Sequence, residues 1–268
     1  MLRRLSLAIA VAAATSTSAW AAEAPLSAKT DLISVYQEAA KNNAALAAAR
    51  ALAERCSVPL VAGINQAVSL EQAQAFCAEH GAVMLKALAG GGGRGMRAVF
   101  EPAELAEAYA RCQSEAQAAF GNGALYIEQL VSDARHIEVQ VLGDGSGAVS
   151  HLWERDCSLQ RRNQKLVEIA PSPELDSSVR DAMIAAALQL AADVKYCGIG
   201  TFEFLLDAAQ PGRFYFMEAN PRVQVEHTVS EQVTGIDLLH TQLKLVAGQS
   251  LAALGLLQPP SVQGFAVQ

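Results

Sequence analysis

The chain has 268 residues, of which 51% are hydrophobic, and its formal net charge is −7. This length allows one large or two modest domains with an ample core, and the acidic balance argues against a general nucleic-acid surface while leaving room for a local basic pocket for phosphates. The five cysteines show no CxxC spacing, as expected for reduced structural thiols.

The first predicted element is a secretory-signal-like segment over residues 1–21. Arg3 and Arg4 precede an apolar run that ends in the small-x-small pattern of residues 19–21, an order typical of an exported protein. The run is too short for a membrane span, so no span is expected once the signal is removed. The alternative is an Ala-rich tail, either helical or disordered.

A helix is predicted from Asp31 to about Glu54, because apolar residues recur there every three or four positions. The sequence DLISVYQEAAKNNAALAAARA, with the signal before it, resembles the start of TolC-type outer-membrane efflux channels. This resemblance ends at about residue 53 and includes neither coiled-coil hairpins nor barrel strands. It therefore implies a helical fragment over residues 22–54 and no pore. A plain surface helix is the alternative.

Helices and strands alternate after residue 55 without an internal repeat. Ser69 begins a capping-box pattern and a helix to about His80, and a second helix is predicted from Glu101 to about Phe120. Further helices are predicted over residues 173–196 and 236–247. The predicted strands are AVMLKAL, MRAVF, ALYIEQL, HIEVQVLG and AVSHLWE.

A glycine-rich loop follows the strand that carries Lys86. Its residues are Gly90, Gly91, Gly92, Gly93, Arg94 and Gly95. Glycines allow backbone N–H groups to wrap phosphate oxygens, and Lys86 or Arg94 can supply positive charge. The loop lacks the G-K-[ST] ending of a P-loop and leads into a strand-like segment, so it is not a Rossmann fingerprint either. The alternative is a flexible turn.

A basic cluster lies in the sequence ERDCSLQRRNQK over residues 154–165. Its basic residues are Arg155, Arg161, Arg162 and Lys165. In an acidic chain, such a concentration favours the binding of anions near a nucleotide site. A solvated basic loop is the alternative.

Two apolar runs, GTFEFLLD and YFMEANPRVQVEH, are predicted to form a hairpin. Pairing Asp207 with Phe214 sets Glu203 opposite Glu218, and these like charges repel unless a cation lies between them. Hard oxygen ligands suit Mg²⁺, or Mn²⁺, that is shared with phosphates. The alternative is an ordinary amphipathic hairpin whose glutamates face solvent.

The two-residue period of a strand extends this interpretation along the second run. It places one set of side chains on a common face: Phe216, Glu218, Asn220, Arg222, Gln224 and Glu226. The carboxylate of Glu218 and the amide oxygen of Asn220 are then expected to lie close together, and the polar residues after Pro221 continue the same face.

In this order, the motifs GGGGRGMR, RHIEVQVLGD, ERDCSLQRRNQK, GTFEFL and FMEANPRVQVEHTVSE resemble the ATP-grasp domain of biotin carboxylases. This family occurs in acetyl-CoA, propionyl-CoA, pyruvate and urea carboxylases, and the resemblance covers about residues 56–268. It implies an α+β ATP-grasp fold after the N-terminal helical segment. Residues 55–130 would form a glycine-loop lid subdomain, and residues 131–268 an antiparallel-sheet core subdomain truncated at its C-terminal end.

The resemblance also implies an ATP-dependent ligase related to carbamoyl-phosphate synthase. ATP, Mg²⁺ and bicarbonate would give carboxyphosphate, which then carboxylates biotin held on a separate carrier. The carrier and carboxyltransferase domains are expected on other regions or chains.

The resemblance assigns roles to matching residues. The implied ATP-binding residues are Lys86, Gly90, Gly91, Gly92, Gly93, Arg94, Gly95, Glu128, Gln129, Val131, His136, Gln160 and Asn163. The implied metal ligands are Glu203, Glu218 and Asn220. Bicarbonate would be surrounded by Lys165, Arg222, Gln224 and Val225, with Glu226 as the general base.

Some positions depart from the family pattern. Gln129 stands where many members have lysine, Asn163 where some have histidine, and Phe265 where histidine is usual. The family's N-terminal subdomain and its last active-site strand are not found in the sequence. An incomplete or chimeric carboxylase fragment is therefore expected, one that binds ATP but does not carboxylate free biotin measurably.

A different class of protein is the alternative: an exported envelope or efflux-related helical protein that carries a non-catalytic ATP-grasp remnant. The location stays open between the two interpretations. The ATP-grasp chemistry indicates the cytoplasm, and use of the signal-like segment would indicate the periplasm.

Overall fold

The computed structural model describes residues 44–90, 95–161 and 163–268. The signal-like segment 1–21 and most of the efflux-channel-like segment 22–54 lie outside the described residues. Among the described helices, none is long and apolar enough to cross a membrane.

The chain divides into two compact units. Val61–Leu130 forms one, here called the glycine-loop unit. The other, the sheet unit, contains Val131–Gln268 together with Ala49–Leu60. The first helix, α1 (Ala44–Arg55), contributes Ala49, Leu52 and Ala53 to the core of the sheet unit. The segment 49–60 thus belongs with the residues after 130.

The glycine-loop unit is an antiparallel sheet with two helices. Its strands are β1 (Gly63–Ile64), β2 (Val83–Ala87), β3 (Met96–Val99) and β4 (Leu125–Gln129), in the spatial order β1-β4-β2-β3. The helices are α2 (Leu70–His80) and α3 (Leu105–Phe120), the latter preceded by a 3-10 turn at Pro102–Glu104. The capping box at Ser69 is confirmed, because Ser69 and Gln72 exchange hydrogen bonds at the start of α2.

The glycine loop ends at a position that requires glycine. Gly95 has a φ of +67°, and a Cβ atom there would lie 2.7 Å from the Cβ of Ala87. Its carbonyl oxygen accepts a hydrogen bond of 2.7 Å from the N–H of Ala87. A larger residue would be strained and would also push β2 away from β3.

The sheet unit is built on six antiparallel strands. They are β5 (Arg135–Asp144), β6 (Val149–Arg161), β7 (Gln164–Ala170), β8 (Cys197–Leu206), β9 (Phe214–Asn220) and β10 (Ala266–Val267), in the order β10-β7-β6-β5-β8-β9. The helices after β7 are α4 (Ser177–Asp193), α5 (His227–Thr234) and α6 (Leu238–Val246).

The two faces of this sheet have different chemistry. On one face, Ile137, Val139, Phe202 and Phe204 pack with α1 and α4. The other face is apolar at one end, where Leu142, Ile199 and residues of α6 form a separate cluster. Between the apolar side chains of β5 and β8, the alternate positions hold Glu138, Gln140, Thr201 and Glu203, all of them buried. Burial of so many polar groups requires partners nearby.

Some elements differ from the sequence-based expectations. The basic cluster is not the solvated loop of the alternative interpretation, because residues 154–161 continue β6 and β7 starts at Gln164. Helix α4 starts later than residue 173, because Asp176 caps it by accepting hydrogen bonds from the N–H groups of Ser178 and Val179. The short helix α5 was not predicted.

A buried histidine makes the stability of the sheet unit depend on pH. His151 on β6 accepts a hydrogen bond of 3.1 Å from the backbone N–H of Trp153 and contacts the Trp153 ring edge-on. Burial lowers its pKa from 6.5 to about 4, although the charge of Asp181 opposes this shift. The unfolded chain therefore binds a proton between these pH values that the folded chain does not bind.

We expect the free energy of unfolding to fall as the pH drops below 6.5, by up to about 2 kcal/mol at about pH 5 from this residue. In His151→Gln this part of the pH dependence should disappear, because the amide can accept the same hydrogen bond without titrating. Urea unfolding at about pH 6.5 and about pH 5 measures the change in the free energy of unfolding. The same change in the wild type and in His151→Gln would contradict the prediction.

Candidate active site

Glu203 and Glu218 lie directly opposite each other on β8 and β9, as predicted. The register that achieves this was predicted wrongly at the turn, because Leu206, not Asp207, pairs with Phe214. The pairing shifts by one residue between the Phe204–Phe216 and Glu203–Glu218 pairs, which leaves Met217 as the extra residue of a β-bulge.

The bulge also corrects the predicted face of Phe216. Directly opposed residues share a face, so Phe216 points with Phe204 into the core while Glu218 points with Glu203 to the opposite side. Asn220 pairs with Thr201 and stays on the face of Glu218. The predicted grouping of Glu218 with Asn220 is confirmed, and the inclusion of Phe216 is wrong.

The amide of Asn220 joins the two opposed carboxylates. Its Nδ2 donates to Glu203 Oε1 at 2.7 Å and to Glu218 Oε1 at 2.9 Å. Glu203 is 2% exposed, whereas Glu218 faces solvent. The alternative of an amphipathic hairpin with both glutamates facing solvent is therefore wrong, because Glu203 is buried.

Lys165 is the centre of the buried charge cluster. Its Nζ donates to Glu138 Oε2 and Glu226 Oε1, both at 2.6 Å, and to Glu203 Oε1 at 3.3 Å. Burial alone would lower the pKa of this ammonium, but the charges of Glu138 and Glu203 raise it above its usual value. Lys165 is therefore a permanent cation among three carboxylates.

Sequence reasoning missed Glu138 as a member of the site. Glu138 has no exposed surface, and Arg155 donates to its other oxygen, Oε1, at 2.5 Å. Burial would raise the pKa of Glu138, but the charges of Arg155 and Lys165 hold it below its ordinary value. The alternation of HIEVQV already indicated that polar residues at 136, 138 and 140 share one face.

His136 and Gln160 extend the cluster along β5 and β6. The Nε2–H of His136 donates to Glu203 Oε2 at 2.6 Å, and its Nδ1 accepts from Gln160 Nε2 at 2.7 Å. Burial raises the pKa of Glu203, but the hydrogen bond from His136, with the charge of Lys165, brings it down to about 2. Asn163 lies between β6 and β7, is exposed and has a φ of +62°, a conformation that asparagine tolerates.

The residues after β9 reach the site through a loop, not through continued alternation. The strand ends at Asn220, and Gln224 then folds back so that its Nε2 donates to Glu203 Oε1 at 2.8 Å. Glu226 is buried against Lys165, whereas Val225 is 78% exposed. Arg222 is exposed, and its guanidinium lies 3.4 Å from Asn220 Oδ1. The predicted common face of these residues is therefore wrong, because Pro221 breaks the strand.

In the glycine-loop unit, Lys86 on β2 is half-buried and forms an ion pair with Glu128 on β4. The Lys86 ammonium also lies 5.8 Å from the centre of the Tyr126 ring. Gln129 is exposed at the end of β4, and Val131 begins the other unit.

The glycine loop itself is described only at its ends. The N–H of Gly90 donates to Ala87 O at 3.0 Å, and Gly95 precedes β3. The other members of the predicted loop lie outside the described residues, as does one arginine of the basic cluster: Gly91, Gly92, Gly93, Arg94 and Arg162.

The opposed glutamates, the buried charge cluster around Lys165 and the glycine loop together indicate one class of protein. Comparison with known sequences and structures supports the same class. Residues 46–254 match the family model of the ATP-binding domain of the carbamoyl-phosphate synthase L chain, and the chain belongs to this family. More narrowly, it contains an ATP-grasp domain of the biotin carboxylase type, as found in biotin-dependent carboxylases such as pyruvate carboxylase.

Curated relatives include the pyruvate carboxylase of Schizosaccharomyces pombe, 51% identical over 223 residues, which are 82% of this chain and 19% of that protein. Human mitochondrial pyruvate carboxylase is 49% identical over the same length and share of this chain. The chain thus spans about a fifth of the length of these relatives.

Solved structures that resemble the chain include the biotin carboxylase–beta-gamma-ATP complex of Campylobacter jejuni, with a TM-score of 0.74 and 42% identity. The biotin carboxylase domain dimer of Hydrogenobacter thermophilus 2-oxoglutarate carboxylase, in complex with MgADP, ADP and bicarbonate, has a TM-score of 0.74 and 41% identity. Both similarities cover 81% of this chain and 48% of the other. The efflux-channel resemblance of residues 1–53 and the secretory signal stay predictions.

Proposed function

We propose that this chain binds ATP with Mg²⁺ and bicarbonate and serves the formation of carboxyphosphate, the first step in the carboxylation of biotin. The observation that carries the proposal is the position of Lys165, whose ammonium contacts Glu138, Glu203 and Glu226. A cation held at this place, next to a pair of opposed glutamates that could bind a metal ion, would reduce the repulsion between bicarbonate and the phosphates of ATP. The likeness to carboxylases complexed with nucleotide and bicarbonate supports it.

Glu203, Glu218 and Asn220 fit a magnesium ion by their chemistry and their register. Opposed carboxylates repel, and here the Asn220 amide N–H groups reduce this repulsion. Rotation of that amide by half a turn would present its oxygen instead, which completes a set of three hard ligands. The bound ion would neutralise charge on the ATP phosphates.

Lys165, Arg222 and Gln224 would hold bicarbonate, and Glu226 would accept its hydroxyl proton. The oxygen freed of its proton attacks the γ-phosphorus of ATP, and the bond from that phosphorus to the bridging oxygen of ADP breaks. Lys165 orients Glu226 from 2.6 Å, and Gln224 is fixed between Thr201 and Glu203. Positioning and charge neutralisation account for most of the catalysis in phosphoryl transfer.

The nucleotide roles are also part of the proposal. Lys86 would contact ATP phosphates, for which it must leave its ion pair with Glu128. The other proposed ATP contacts are Gly90 to Gly95, Glu128, Gln129, Val131, His136, Gln160 and Asn163, and Val225 would lie near bicarbonate. Residues 55–130 would act as a lid subdomain and residues 131–268 as the core. The biotin carrier and the carboxyltransferase would lie on other regions or chains.

Binding of MgATP tests the proposal directly. We expect ATP with Mg²⁺ to raise the melting temperature of the chain, and ATP with excess chelator to raise it much less. Isothermal titration calorimetry should give a matching Mg²⁺ dependence. Bicarbonate-dependent release of ADP that is lost in Glu226→Gln would demonstrate the chemical step as well. The absence of any ATP-dependent shift with Mg²⁺ would overturn the proposal.

A further inference from the structure

Arg155 is fully buried in the sheet unit, and neither the metal nor the bicarbonate scheme uses it. It lies on β6, has no exposed surface, and is among the largest fully buried side chains of the described residues. Removing a guanidinium from water costs several kcal/mol unless partners compensate. The partners of Arg155 therefore indicate what the residue does.

The first partner is Glu138. Nε of Arg155 donates to Glu138 Oε1 at 2.5 Å, while Lys165 Nζ donates to the other oxygen of the same carboxylate at 2.6 Å. Glu138 is thus held between two cations. Because the two oxygens of a carboxylate are a fixed distance apart, a shift of the oxygen held by Arg155 also displaces the oxygen that contacts Lys165.

The second link runs to helix α5. Nη1 of Arg155 donates to Ser230 Oγ at 2.8 Å and to Gln140 Oε1 at 2.9 Å. Ser230 lies on α5, and Glu226 occupies the N-cap position of this helix. One side chain therefore ties together the strand that carries Glu138 and the helix that begins at Glu226.

A purely structural role does not account for this choice of residue. Within the described part of the chain, the buried Nη2 of Arg155 has no hydrogen-bond partner. An unpaired buried donor costs about 1–3 kcal/mol, and apolar side chains often replace buried ion pairs without loss of stability. Stability alone would be served as well by apolar side chains in place of both Arg155 and Glu138.

We propose that Arg155 is a positioning residue: it holds Glu138 and helix α5 so that Lys165 stays placed against Glu226 and Glu203. It acts through these groups and contacts no substrate. The inference rests on the proposed function for its chemical meaning. Its geometric part, the position of Lys165, can be tested without any turnover.

The test compares Arg155→Met and Arg155→Lys with the matched control Arg180→Met. Arg180 also pairs with a buried carboxylate of the sheet unit, since its Nε donates to Glu154 Oε1 at 2.8 Å. Crystal structures of the three variants give the distance from Lys165 Nζ to Glu226 Oε1. We expect it to lengthen from 2.6 Å to beyond about 3.5 Å, the limit of a hydrogen bond, in Arg155→Met, and to stay unchanged in Arg180→Met.

Arg155→Lys retains the charge but cannot reach Glu138 and Ser230 together, so an intermediate displacement is expected. This variant decides the question if Arg155→Met does not fold. A Lys165–Glu226 distance unchanged in the folded Arg155 variants would overturn the inference, and so would an equal displacement in Arg180→Met.

The kinetic arm links the geometry to the reaction. In bicarbonate-dependent ADP release, Arg155→Met should lower kcat by about 100-fold, the effect of a 1 Å misplacement, with the KM for ATP nearly unchanged. Arg180→Met should leave both constants unchanged. If the wild-type chain fails to bind MgATP, the proposed function fails, and the crystallographic distances still decide whether Arg155 positions Lys165.

Discussion

Replacing Lys165 with methionine should destabilise the sheet unit by about 3–5 kcal/mol at neutral pH, the usual effect of removing one partner from a buried ion pair. The ammonium contacts Glu138, Glu203 and Glu226, and the apolar side chain would leave these carboxylates facing one another. Urea unfolding of both proteins measures the difference. Lys195→Met is the matched control, because Lys195 is exposed and its loss should change little.

The destabilisation should depend on pH in a defined direction. The pKa of Lys165 is raised in the folded chain, so in the wild type its stabilisation is fully present below the ordinary value of 10.5 and is lost only as the pH rises through the folded pKa. In Lys165→Met, Glu138 and Glu203 lose a positive charge that lowers their pKa values in the wild type, so these pKa values rise. The difference from wild type should then shrink as the pH falls toward about 4.5. A difference that does not vary with pH would contradict this explanation.

Glu203→Gln and Glu218→Gln should each lower the affinity for MgATP by at least about tenfold, equivalent to about 1.4 kcal/mol. Their effects on the metal-free protein should differ. Glu203 is 2% exposed and accepts hydrogen bonds from His136, Asn220 and Gln224, so its substitution should destabilise the fold. Glu218 is exposed, and removing its charge relieves repulsion with Glu203, so stability should be unchanged or slightly higher.

Calorimetric titration with ATP over a series of Mg²⁺ concentrations measures the affinity for MgATP. Urea unfolding measures the stability of the metal-free protein, so the effects on binding and on folding are separated. Glu54→Gln, at an exposed position on α1, is the control for the loss of one carboxylate. An unchanged Mg²⁺ dependence of ATP binding in both site variants would refute the proposed metal ligands.

The opposed glutamates could be predicted from the sequence because strand pairing places side chains by simple counting. Glu203 and Glu218 required only two strands and a turn between them. The bulge could not be predicted in this way, because Met217 is apolar and fits a regular strand as well as an irregular one. The face of Phe216 was therefore assigned wrongly, although the metal pair was placed correctly.

The buried ion pairs were harder to predict. Arg155 appears in the sequence beside other basic residues, and a basic run is typical of a solvated or anion-binding loop. Its partner Glu138 lies on the neighbouring strand, 17 residues away, so their pairing depends on a register that the sequence alone does not supply. The contacts of Gln224 with Glu203 and of Glu226 with Lys165 were equally hard to predict, because both residues reach the site through a loop after Pro221.

The fold class followed from motifs more than from periodicity. The glycine run, the basic cluster and the acidic hairpin together indicated the family, which the match over residues 46–254 confirms. Within the described residues, the strand made by residues 164–170 and the helix at 227–234 were not predicted. Both are short, and charged or polar residues interrupt their apolar pattern.

The cap position of helix α5 has a consequence for attempts to make this protein more heat-resistant. Glu226 occupies that position, yet among the described residues its carboxylate caps no backbone N–H and contacts Lys165 instead. Serine or aspartate there would typically gain about 1 kcal/mol of helix stability. A helix-capping rule would suggest such a substitution, but it would remove the proposed base and a buried partner of Lys165, so thermostability libraries should keep this codon fixed.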